Sequence, residues 1–234
     1  MPRLRGLHHL AFSTTDMKGQ IAFFSEVLGM RLTALFWMHG VPGGWHGFLE
    51  LDDNASVAFV ALPDNAKAKS ELGSSHAAHG GGPSAPGTMQ HVAFNVESME
   101  DLMAFRNRIR QSGTPVFGPV DHGFCQSIYF AGPEGLNLEI STSVNPPDPD
   151  EWIDPEVVAL AGISAEELVA FRNPPPGPGA RPETPQPAFD PARPHLKYPP
   201  ALYEKLLKMA DADYVALASY NEPPVRKVVA DPAE

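Results

Sequence analysis

Two histidines and one glutamate in this 234-residue chain have the side-chain types and spacing that could hold a metal ion. Laid over itself at an offset of 82, the sequence repeats. His9, Ala11, Phe12, Met17, Ala22 and Phe23 recur as His91, Ala93, Phe94, Met99, Ala104 and Phe105, six coincidences within fifteen positions. Side chains on a strand alternate faces, so His9 and His91, at equivalent places on equivalent strands, are expected to project into one shared cavity. Glu139 is a charged residue in the apolar run LNLEIST, and a carboxylate buried there needs a cation. Two neutral imidazoles and one carboxylate form the facial triad suited to non-heme Fe(II), with neighbouring coordination positions left open; Mn(II) or another divalent ion could substitute. A strand histidine taken singly is more often a hydrogen-bonded core residue, but three donors at related positions reverse that preference. His8 points away from His9 on a regular strand, so only one of the two can be a ligand, and the repeat selects His9.

The elements that must position these residues read the same way in both copies. An alternating apolar strand (LHHLAFSTT, MQHVAFNVE) leads to a turn and an amphipathic helix (KGQIAFFSEVLG, MEDLMAFRNRIRQSG) that ends near glycine. Three short strand-like runs follow each helix: MRLTALFW, HGFLELD and SVAFVAL, then TPVFGPV, FCQSIYFA and LNLEIST. Each half is therefore βαβββ, with one apolar sheet face that it cannot bury alone. The expected fold is α+β: two paired modules forming a curved eight-stranded sheet around a ligand cup, with helices outside. Module 1 spans about 5–62 and module 2 about 89–143, within a domain over 1–145. Residues 63 to 88, rich in Gly, Ser, Ala and Lys, read as a long connection near the rim of the cup, either an idle linker or a lid.

Residues 146–234 form a proline-rich extension with two helices. One helix is expected at about 155 to 171, where Ser164 and Glu167 have capping-box spacing, and another from Ala201 with Leu202, Leu206, Leu207 and Met209 on one apolar side. Between them lie eleven of the 26 prolines, from Pro174 to Pro200, and a chain with so few amide donors should be extended and PPII-like. Such an arm must dock, either on its own domain or on the twin subunit of a homodimer, the alternative being a recognition tail for another protein.

The net charge of −11 and the absence of any dense run among the 17 Lys and Arg argue against nucleic acid as a partner and leave small molecules. The single cysteine, Cys125, excludes an internal disulfide framework. Neither a cleavable leader nor an apolar run long enough to span a bilayer is visible, so a reducing cytoplasm without membrane association is expected. No partner near Cys125 suggests nucleophilic catalysis, and a packing role is expected of it.

With LHHLAF, QHVAF and the late YFAGPEGLNLE, residues 5 to 143 resemble the vicinal oxygen chelate superfamily, which includes glyoxalase I, epimerases, thiol transferases and extradiol ring-cleavage dioxygenases. Val120, His122, Ile128, Tyr129, Pro133, Gly135 and Glu139 match in kind and spacing the local signature of the type I extradiol dioxygenases. The resemblance implies that Glu139 is the carboxylate ligand and that His122 and Tyr129 face the substrate near the metal as catalytic groups. Gly132 departs from the signature, which has an acidic or small polar residue before the proline. A second departure is larger. Many such dioxygenases carry an acid–base histidine on the last strand of the first half, which here is SVAFVAL, and His46, His76 and His79 all remain open as replacements. That strand also lacks the polar fourth ligand of glyoxalase I and the epimerases, although Glu50 on the preceding strand could supply one.

The resemblance thus implies an Fe(II) dioxygenase that binds a catechol-like aromatic diol and dioxygen, since a divalent ion lowers the pKa of a bound hydroxyl and holds both reactants together. His122 would donate to developing negative charge, and Tyr129 would fix or protonate the substrate. Phe36, Trp37, Trp45 and Phe124 are candidates for an aromatic pocket. The alternatives are a glyoxalase- or epimerase-like lyase or isomerase, and a non-catalytic binding protein of the same fold.

Overall fold

Alternation in the first half produces β1 (His9–Ser13), β2 (Leu32–Trp37), β3 (Trp45–Asp52) and β4 (Ala55–Ala61), with α1 (Met17–Ala22) after β1 running into a π-helical turn at Phe23–Val27. The second half repeats this with β5 (Val92–Asn95), α2 (Met99–Gln111), β6 (Val116–Asp121), β7 (Gln126–Ala131) and β8 (Asn137–Thr142). Both helices start where a side-chain oxygen satisfies a free backbone donor: Asp16 accepts from Gly19 N and Ser98 from Asp101 N. The computed structural model describes residues 4–175, 184–220 and 223.

Each half is the expected βαβββ unit, with strand orders β1-β4-β3-β2 and β5-β8-β7-β6. The first strand of each runs parallel to the last and the other pairs are antiparallel. The eight strands hydrogen-bond as two four-stranded sheets, not as one eight-stranded sheet, because β1 and β5 are both edge strands and do not pair with each other. Side-chain packing joins the halves instead. Phe24, fully buried, meets Phe59 of its own half at 5.0 Å between ring centroids and Phe94 of the other half at 6.3 Å. Leu102 and Ile109 on α2, with Ile128, Leu138 and Ile140 on the second sheet, complete one shared core. Each such side chain contributes about 1.5–3 kcal/mol by leaving water.

A polar clamp adds direction to this contact. Glu134 lies in the Pro-Glu-Gly turn before β8, in a left-handed conformation (φ 54°) that only glycine adopts without cost. Its carboxylate accepts from the Thr14 hydroxyl (2.5 Å), the Thr15 amide (2.9 Å), the Thr15 hydroxyl (2.7 Å) and Gln20 Nε2 (2.9 Å). The turn that introduces the Glu139 strand is thereby tied to the segment that leaves the His9 strand. Burial raises the pKa of this carboxyl, but the four hydrogen bonds outweigh it and hold the value at about 2, against the usual 4.5. A depressed carboxylate stabilises the fold above its unfolded value, and that contribution is lost as pH falls from about 4.5 towards 2. Solvent screens part of it, so Glu134→Ala should cost about 2 kcal/mol at neutral pH by urea unfolding, with the deficit shrinking below about pH 4.5. Glu134→Gly should be the milder change by about 1 kcal/mol, since it relieves the backbone. Equal losses at pH 7 and pH 3 would show that the carboxylate charge plays no part.

The chain divides into two compact units, and the one that holds both modules runs over Gly6–Asn173, past the boundary expected at 145. Trp152 shows why. It sits on α3 (Pro149–Trp152) with its ring edge-to-face on Phe124 at 4.9 Å, and a Cβ added at Gly123 would lie 2.8 Å from it. The helix expected at 155 to 171 is two, α4 (Pro155–Leu160) and α5 (Ala165–Arg172), broken at Gly162 with φ 69°; the Ser164–Glu167 capping box starts the second.

In the other unit the helix expected from Ala201 is likewise two, α6 (Pro200–Lys208) and α7 (Asp211–Ala218). Lys205 and Lys208 close α6 while Asp211 and Asp213 open α7, so the charges favour an end and a new start at Met209–Ala210. Residues 184–199 form neither helix nor strand, as the prolines require, and the rest of the proline-rich stretch, 176–183, lies outside the described residues. No helix among the described residues is long and apolar enough to cross a membrane.

Candidate metal centre

β8 runs through the middle of the second sheet, between β5 and β7, which buries its side chains on both faces and leaves Glu139 5% exposed. In register, Glu139 faces Ala93 on β5 and Tyr129 on β7, so all three share one face. His91, immediately before β5, is two residues from Ala93 and extends the same face. Its Nε2 lies 2.9 Å from Glu139 Oε2, and the other carboxylate oxygen accepts from the Ser141 hydroxyl at 2.6 Å. Ser141 is hydrogen-bonded in turn to Ser127 (2.8 Å). His91 Nδ1 contacts Gln90 Oε1.

This imidazole therefore has an acceptor on each nitrogen. His91 and Glu139 supply two of the three donors of a facial triad.

His9 is not brought to that pair. No group of three His, Cys, Asp or Glu side chains among the described residues lies close enough to share an ion. The His9 ring sits instead with His8 (Nδ1 to Nδ1, 2.9 Å), Phe48 (centroids 5.5 Å) and His46 (6.4 Å). The repeat places His9 and His91 correctly within their own modules, but no hydrogen-bonded ladder fixes the spacing between β1 and β5.

Of the histidines left open as an acid–base group, His46 shares the His9 face, because His46 pairs with Val60 and His9 with Ser56 on the same strand. His46 Nε2 is buried without a hydrogen-bond partner among the described residues, and burial, then the neighbouring His9, lowers its pKa. His76 Nδ1 meets Ser75 (2.9 Å), and the ring lies over Gly135. His79 offers its backbone carbonyl to Gln90. Glu50, the possible fourth ligand, is held by Arg31 Nε at 2.8 Å and stands two strands, about 10 Å, from His9.

Tyr129 and His122 are brought together, Oη to Nε2 at 2.7 Å. Burial raises the Tyr129 pKa, the Ser127 hydroxyl partly offsets this, and the Glu139 charge raises it further. The phenol therefore keeps its proton. The aromatic pocket does not assemble. Phe36 stacks on Phe48 on the His9 face, whereas Trp37 and Trp45 pair with each other on the opposite face and Phe124 packs on Trp152. Alternation along β2 and β3 dictates this separation. Cys125 is half-buried, 3.8 Å from the Ser127 hydroxyl, in keeping with packing.

Sequence reasoning missed Gln90, Ser127 and Ser141. Ser141 was within reach of it, since a residue two along a strand from Glu139 must share its face. Gln90 carries no comparable signal.

The profile of the Glyoxalase/Bleomycin resistance protein/Dioxygenase superfamily matches residues 6–140. The chain belongs to this superfamily. An iron-dependent extradiol dioxygenase of Rhodococcus jostii (strain RHA1) is 23% identical over 172 residues, 67% of this chain and 49% of that protein, so the chain spans about half the length of that relative. Among solved structures, a glyoxylase/bleomycin resistance protein/dioxygenase domain from Frankia sp. EAN1pec is 16% identical, covering 60% of this chain and 99% of its own, with a TM-score of 0.47. An integron cassette protein from the Halifax Harbour sewage outfall metagenome is 21% identical, covering 59% and 99%, with a TM-score of 0.44.

Proposed function

We propose that this superfamily member is a metal-dependent oxidoreductase, an Fe(II) extradiol dioxygenase that cleaves the ring of a catechol-like aromatic diol with dioxygen. The observation that carries the reading is the His91 imidazole 2.9 Å from the buried Glu139 carboxylate, two donors that a divalent cation could share. The 23% identity to an iron-dependent extradiol dioxygenase supports iron as that cation and ring cleavage as the chemistry. His91 and Glu139 would hold the metal; His9, the third ligand expected from the repeat, lies with His8, His46 and Phe48.

The bound metal would acidify the diol hydroxyls and gather both reactants. The chain's own residues supply the rest. Tyr129, opposite Glu139 in register, would fix or protonate a substrate oxygen, and His122 Nε2, 2.7 Å from its hydroxyl, would orient the phenol. His122 itself is exposed.

The reading is tested by anaerobic purification, Fe(II) loading and oxygen-uptake measurement against a panel of catechols and hydroquinones. Uptake with at least one catechol, accompanied by a ring-opened product, is the expected result. Full iron loading without uptake for any diol would leave the dioxygenase reading unsupported.

A further inference from the structure

Resting on the reading of Tyr129 as the group that serves the substrate, we propose that Trp152 is a positioning residue. From beyond the superfamily match at 6–140, it braces the β6–β7 hairpin and so holds His122 against the Tyr129 phenol. The hairpin needs such support. β6 is an edge strand that pairs with β7 alone, and its ladder is interrupted between Phe117 and Val120. His122, in the turn that joins Asp121 to Gln126, is exposed, yet its Nε2 stands 2.7 Å from Tyr129 Oη. An exposed imidazole has rotamers to regain, so it keeps that contact only where its backbone is fixed.

Within the turn the His122 amide donates to the Cys125 carbonyl and the Gly123 amide to Asp121 Oδ1, both at 2.8 Å, so residues 121–125 move as one piece. Trp152 bears on that piece at two points. Its ring meets Phe124 edge-to-face at 4.9 Å between centroids, a preferred aromatic geometry. A Cβ at Gly123 would stand 2.8 Å from the indole, closer than packing allows, so only glycine leaves room for the ring there; the backbone, at φ 87°, favours glycine as well. The helix that carries Trp152 is itself fastened. Asp148 Oδ1 accepts from the Asp150 amide at 2.9 Å, and Arg172 Nη2 of α5 reaches Asp150 Oδ1 at 2.6 Å. The turn that carries His122 is thus fixed by α3 as well as by β7.

The full chain tests this without metal or substrate. The His122 imidazole 15N shifts are measured at one pH with Tyr129 present and as Tyr129→Phe, and the difference between the two reads the His122–Tyr129 contact. The same difference is then measured in Trp152→Leu, Trp152→Phe and Phe124→Leu. Trp152 and Phe124 are 47% and 38% exposed, so neither loss opens a core cavity. Trp152→Leu and Phe124→Leu should shrink the difference several-fold, and Trp152→Phe, which keeps an aromatic ring for Phe124 to meet, should restore most of it. A residue that only stabilised the fold would lower the melting temperature and leave the difference unchanged in the folded protein, and that result would overturn the proposal. Should Trp152→Leu fail to fold, Phe124→Leu decides by the same difference. With Fe(II) and the best diol, Trp152→Leu should lower kcat several-fold with KM and iron content unchanged. If the wild type turns over no diol, the dioxygenase reading fails, and the shift difference still decides the role of Trp152.

Discussion

His91→Ala is expected to abolish stoichiometric metal binding while leaving the fold intact. The side chain is about a third exposed and lies at the end of an edge strand, so its removal opens no core cavity, and the far-ultraviolet spectrum should match that of the wild type. The loss at the site is large, because Glu139 is buried and its Oε2 lies 2.9 Å from His91 Nε2. Metal analysis after anaerobic Fe(II) loading should fall from about one ion per chain to a small fraction, an affinity loss on the order of 100-fold or more. His9→Ala separates two versions of the centre. If β1 and β5 approach to complete a triad, this variant too should lose metal, whereas undiminished binding would confine the centre to His91 and Glu139 and remove His9 from it.

Tyr129→Phe should leave metal content unchanged and lower turnover of the best diol by on the order of 100-fold, the usual contribution of a placed proton donor. The substitution keeps the ring and removes only the hydroxyl that meets His122. The reduction should appear in kcat more than in KM if the proton acts in the transition state. Turnover within threefold of wild type at full iron loading would assign Tyr129 to packing. His122→Ala should give a smaller loss, because its imidazole orients the phenol from the exposed side.

The elements that hold these groups were legible from pattern. Period-two runs at LHHLAFS, LTALFW, SVAFVA and LNLEIST became strands within a residue or two of the expected bounds, because one buried face specifies a strand's register strongly. The contact of His91 with Glu139 was legible too, since the first and last strands of a βαβββ unit lie side by side and parallel. Helix breaks were less so. Ser164 marked a helix start, but the stops at Gly162 and at Met209–Ala210 depend on a single glycine and on a reversal of charge, both weaker than the apolar periodicity that runs across them.

What the sequence determined by itself is everything set by neighbours along the chain and by alternation: two βαβββ modules, and a glutamate on the same sheet face as a histidine. Tertiary structure decided whatever depends on how separate pieces meet. It placed His9 beside His46 and not beside Glu139, scattered the aromatic residues over two faces, brought Trp152 over Gly123, and put the Gln90 amide between the linker and His91. The physical reason is that strand periodicity fixes which face a side chain takes, whereas the distance between two edge strands, or between a loop and a sheet, is set by packing and long-range hydrogen bonds that no local pattern records.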